Sequence, residues 1–100
     1  MSDHHFGNGA FVGELWIAGK RVFPNLSGAD VEFVTPGAFD WIIADEKGVE
    51  VKAVRHTNGH GGWTSIDLPS QGLFGNFSIG FRNKSDGAKE IKQGDVQFKE

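Results

Sequence analysis

The sequence predicts an all-β chain: a single antiparallel β-sandwich, jelly-roll-like, with seven to eight short strands. Three observations lead there. Apolar and polar residues alternate along most of the chain, and no stretch keeps the three-and-four spacing of a helix. Glycine supplies 15 of the 100 residues, about twice the usual share of about 7%, and Gly or Pro interrupts almost every helix-length window. Turn-forming dipeptides recur at short, regular intervals, as they do between short antiparallel strands.

Taken in order, residues 1–9 read as a loose N-terminal tail and residues 10–100 as one β-sandwich domain. Strands are expected over residues 10–18, 20–23, 30–34, 39–44, 49–56, 63–68, 75–82 and 88–98, the last with a break. Turn signals separate them at Ala18-Gly19, Pro24-Asn25, Pro36-Gly37, Lys47-Gly48, Asn58-Gly59, Gln71-Gly72 and Asp86-Gly87. Nine Phe and three Trp supply the large apolar areas of the core.

Register follows from alternation, because a slip of one residue reverses every face. A three-residue Glu46-Lys47-Gly48 loop with Gly48 left-handed sets Phe39, Trp41 and Ile43 beside Arg55, Ala53 and Val51. A two-residue type I′ turn at Asn58-Gly59 then pairs Val51 with Ile66 and Ala53 with Thr64. Together these predict a three-strand meander over residues 39–68. Near the C-terminus, Phe77, Ile79 and Phe81 share a face, and a Ser85-Asp86-Gly87 turn sets Phe81 across from Ile91. Val96 and Phe98 then fall on the wrong side, so a bulge is expected near Gln93-Gly94.

Composition excludes several classes. There is no cysteine, which rules out disulfides, thiolate metal sites and cysteine nucleophiles. A formal charge of −3, with 10 basic and 13 acidic residues dispersed along the chain, lacks the basic footprint of a nucleic-acid binder. No apolar run is long enough for a transmembrane helix. The first residues lack the basic and apolar regions of a signal peptide, so the chain is not exported by that route unless a leader has been removed. The compartment stays open.

Chemically versatile side chains concentrate at residues 55–63, Arg-His-Thr-Asn-Gly-His-Gly-Gly-Trp. His56 and His60 share a metal only if a three-residue turn places them opposite each other. The Asn58-Gly59 turn sends them to opposite faces, and no metal, cofactor or catalytic group is assigned. The same register brings Trp63 opposite Val54 and diagonal to His56, a platform on which a sugar ring can stack. The alternative is that Trp63 only seals a sandwich edge. It also sets Glu50 against Asp67, with Lys52 in diagonal reach; a cation site or acid–base couple competes there with a simple ion pair.

The architecture resembles that of small lectins and carbohydrate-binding modules, a likeness of class that transfers no residues. The leading expectation is a non-catalytic module that binds a carbohydrate through His56, Asn58, His60, Trp63 and Asp67. The alternative is a structural or protein-interaction sandwich that self-associates through sheet edges or apolar residues such as Ile42 and Val54, as a homo-oligomer. A third reading is a metal-dependent or hydrolytic enzyme around Glu50, Asp67 and the histidines.

Overall fold

The computed structural model describes residues 2–57 and 61–100. Among these, nine strands form two antiparallel sheets packed face to face as a sandwich. In chain order they are β1 Ser2–Phe6, β2 Gly9–Phe11, β3 Glu14–Trp16, β4 Gly28–Phe33, β5 Phe39–Ala44, β6 Glu50–His56, β7 Gly62–Asp67, β8 Ser78–Asn83 and β9 Lys89–Phe98. The five-stranded sheet has the order β1-β9-β4-β7, with β2 also paired to β9; the four-stranded sheet has the order β3-β8-β5-β6. Short 3-10 turns at Ile17–Gly19 and Pro69–Gln71 are the described helical elements, and no helix is long and apolar enough to cross a membrane.

Alternation explains which side of each strand is buried. Ala29, Val31 and Phe33 of β4 turn inward, while Asp30 and Glu32 turn outward. Phe39, Trp41 and Ile43 of β5 and Ile79 and Phe81 of β8 meet them from the other sheet. Phe81 is the hub of this core: its ring centroid lies 4.9 to 6.2 Å from those of Trp41, Phe33, Phe39, Phe11 and Phe6.

Several local expectations hold. The Glu46-Lys47-Gly48 loop is present, with Asp45 N–H donating to Val49 O at 2.9 Å and Gly48 at φ 84°. The β9 bulge is also present, one residue earlier than expected. Glu32 pairs with Gln93 and Phe33 with Ile91, so Lys92 is the extra residue, and Ile91, Val96 and Phe98 are all buried.

Other expectations are corrected. Residues 2–6, expected within a loose tail, form β1 and pair with residues 94–98. Residues 20–23 form no strand; Phe23 makes a single bridge to Phe77. The meander over residues 39–68 does not form, because the chain after β6 crosses to the other sheet and β7 pairs with β4. Likewise β8 and β9 lie in different sheets, so Phe81 and Ile91 are not cross-strand partners. Within the β5–β6 hairpin, Ala44 pairs with Glu50 but Ile43 with Lys52, which makes Val51 an extra residue. Phe39 therefore faces His56, not Arg55. That slip turns Val54 and His56 towards the core and Arg55 outward, where it meets Asp40 at 2.5 Å.

Lys89 is fully buried at the inward start of β9. Its Nζ donates to Thr35 O at 3.1 Å and Gly37 O at 3.0 Å, and it lies 4.3 Å from the centre of the Phe33 ring. Burial pushes its pKa down from the ordinary 10.5. Between the lowered folded value and 10.5 the unfolded chain binds more protons, so stability rises with pH across that window. The urea midpoint of the wild type should accordingly gain on that of Lys89→Met as the pH rises towards 10.5. Parallel pH profiles for the two proteins would show that the burial of this ammonium is without cost.

Candidate functional site

The two outer faces of the sandwich differ in how far they are satisfied by their own neighbours. On the four-stranded sheet, Ile42 points outward yet is fully buried. Its cross-strand partner Gly80 has no side chain, and Trp16 packs there: a Cβ on residue 80 would lie 3.1 Å from Trp16 Cε3. Lys20 lies over the Trp16 ring at 4.5 Å and donates to Gly48 O at 3.0 Å. Arg82 bridges Glu50 and Glu14, and hydrogen bonds to Glu50 first and Glu14 second push the guanidinium pKa up. With Arg55 on Asp40, opposite charges on this face meet one another.

The five-stranded sheet presents a different surface. Its outward residues lie in rows across the strands. Trp63, Glu32 and Gln93 form the first; Ser65, Asp30, Asp95 and His5 the second; Asp67, Gly28, Gln97 and Asp3 the third. Rows are roughly 7 Å apart along a strand. Trp63 stands at one corner with 55% of its surface exposed, on the edge strand β7. Two of the carboxylates are held by side-chain amides: Gln93 Nε2 donates to Glu32 Oε1 at 3.0 Å and Gln97 Nε2 to Asp30 Oδ2 at 3.1 Å. His5 Nδ1 is hydrogen-bonded to Asp95 Oδ1 at 2.9 Å. Between Asp30, Ser65, Asp67 and Gln97, over Gly28, lies a shallow depression of about 510 Å³. An exposed indole beside carboxylate acceptors and amide groups can stack on an apolar ring face while exchanging hydrogen bonds with hydroxyls at its edge.

The expected site residues are only partly gathered here. Trp63 and Asp67 share this face, and Asp67 Oδ2 also accepts the Ser70 N–H at 3.1 Å. His56 does not join them. It lies half-buried at the edge of the other sheet, hydrogen-bonded through Nε2 to Thr64 Oγ1 at 2.8 Å, with its ring 5.5 Å from that of Phe39. Its role is to tie β6 to β7 across the sheets, so the expected Trp63–His56 platform does not form. Asn58 and His60 lie outside the described residues.

Glu50 and Asp67 stand on different sheets, and Glu50 pairs with Arg82, so they make no acid–base couple. Among the described residues no group of three or more His, Asp or Glu is gathered as metal ligands. Ile42 is buried and Val54 packs against the core, which removes both from the surface proposed for self-association.

Sequence reasoning missed Asp30, Glu32, Gln93 and Gln97. A signal for them existed. Polar residues at alternate positions in β4 (Asp30, Glu32) and β9 (Gln93, Asp95, Gln97) mark two outward faces, although only the sheet order makes those faces neighbours. No protein-family model matches this chain, and no curated protein matches it.

Proposed function

We propose that the protein is a non-catalytic carbohydrate-binding module whose ligand lies on the outer face of the five-stranded sheet. The observation that carries this reading is Trp63: a large indole, 55% exposed, at the corner of a surface of alternating carboxylate and amide side chains. Apolar side chains of this size usually bury most of their area. The other outer face, by contrast, has covered its own tryptophan with Lys20. Glu32, Asp30, Gln93, Gln97, Ser65 and Asp67 supply acceptors and donors suited to hydroxyl groups. The acidic character of the face, with Asp3, Asp30, Glu32, Asp67 and Asp95, favours neutral over anionic sugars.

The strand order also supports reading the sandwich as a jelly roll. From β3 to β9 the chain crosses between sheets at every connection except β5–β6, and each sheet mixes early and late strands.

A glycan array probed with the wild type and with Trp63→Ala tests the function. Binding should fall about tenfold or more, corresponding to about 1.4 kcal/mol of lost stacking. The thermal midpoint should stay within about 2 °C, because the side chain is outward and exposed. If every glycan bound by the wild type is bound equally by Trp63→Ala, this face is not the site.

A further inference from the structure

The open edge of the sandwich, where β1 and β2 face β3, holds a second feature independent of the glycan face. A half-open cavity of about 260 Å³ lies there, walled by Phe6, Leu15, Trp16, Ile17 and Ile91 and rimmed by the Gly7-Asn8-Gly9 segment. Its walls are mostly apolar.

The cavity exists because one inward position has no side chain. Gly9 pairs directly with Ile91, which is buried, and two residues further along β2 the inward Phe11 is also buried. Directly paired residues share a face, so position 9 belongs to the core row. A Cβ placed on Gly9 would meet no atom within 4 Å, and Gly9 is not among the positive-φ residues. Neither crowding nor backbone geometry requires glycine here.

Three departures from regular structure converge on the same place. The edge strand is interrupted between Phe6 and Gly9, and the residues of β9 facing that gap include the extra residue Lys92. On the opposite wall, Ala18 has φ 53°, a left-handed conformation that non-glycine residues seldom adopt. Such conformations persist where the surroundings impose them, and they cluster at ligand sites. A bulge beside a strand break likewise re-aims side chains near binding sites.

We propose that this cavity is a binding site for a small neutral aromatic molecule of one or two fused rings. An apolar cavity of about 150 Å³ already accommodates a benzene ring, so the volume suits a somewhat larger planar molecule. Phe6 offers an aromatic ring and Leu15, Ile17 and Ile91 offer apolar side chains to a planar guest, and Asn8 at the rim can meet a single polar edge.

Titration of the ¹⁵N-labelled protein with indole tests the proposal. Saturable amide shifts are expected at Gly9, Ile17, Ala18 and Ile91. Gly9→Leu should fill the space, raise the thermal midpoint and weaken indole binding at least tenfold while preserving the spectrum elsewhere. Gly9→Ala adds a single methyl group and should weaken binding to a smaller degree, which keeps the test decisive if the leucine variant folds poorly. Absence of saturable shifts up to the solubility of indole overturns the proposal, as does equal binding by a folded Gly9→Leu protein. Tighter binding of n-hexanol than of indole overturns the aromatic assignment.

Discussion

Replacing Phe81 with alanine is expected to lower the stability of the protein by about 4 kcal/mol. Phe81 is fully buried on β8, and its ring is surrounded by Phe6 and Phe33 of the five-stranded sheet, Phe39 and Trp41 of its own sheet, and Phe11 of β2. These neighbours come from four strands and cannot all collapse into the space left behind. The loss therefore combines the transfer free energy of the ring with the cost of a residual cavity. Urea unfolding followed by tryptophan fluorescence measures it. Phe74→Ala is the control: Phe74 is 75% exposed, and its loss should change stability by no more than about 0.5 kcal/mol. Similar costs for the two substitutions would contradict the placement of the core.

Gly94→Ala should destabilise by about 1–3 kcal/mol through crowding. Gly94 lies in β9 between Phe6 of β1 and Val31 of β4. A Cβ there would collide with the Phe6 ring and with the backbone carbonyl of Asp30. The ring can turn aside, but the carbonyl moves only if the β4–β9 ladder opens. Faster amide hydrogen exchange in β1 and along β4 should accompany the loss. Gly13→Ala is the natural comparison, since a Cβ at Gly13 meets nothing within 4 Å and its φ is not positive. If both substitutions change the urea midpoint equally, β1 does not pack on β9 as described.

Most faces and several turns were legible in the sequence; partners were not. The bounds of β5, the three-residue turn after Asp45 and the β9 bulge all follow from local chemistry, namely alternation, a left-handed Gly48 and the parity of Ile91 against Val96. Strand neighbours do not follow, because an inward-facing strand has the same pattern whether the next strand pairs with it or crosses to the other sheet. The expected β6–β7 and β8–β9 hairpins both fail for that reason. The one-residue slip at Val51 adds a second error, turning His56 inward and away from Trp63.

The same limit governs the candidate site. Trp63 and Asp67 are on one outward face, as alternation requires, but their companions come from β4 and β9, distant in sequence. Asp30 is hydrogen-bonded to Gln97 across 67 positions, and Glu32 to Gln93 across 61. No local pattern announces such pairs. The indole was identifiable from the sequence, whereas the surface around it depends on which strands the fold makes adjacent.

The most direct test of the proposed function is a titration of the labelled protein with the glycan that binds best on an array, read residue by residue by NMR. Shifts are predicted at the Trp63 indole N–H, at the amides of Glu32 and Ser65, and at the side-chain amides of Gln93 and Gln97. Shifts centred instead on Trp16 and Arg55, with the Trp63 indole unmoved, would place the ligand on the opposite face and contradict the account.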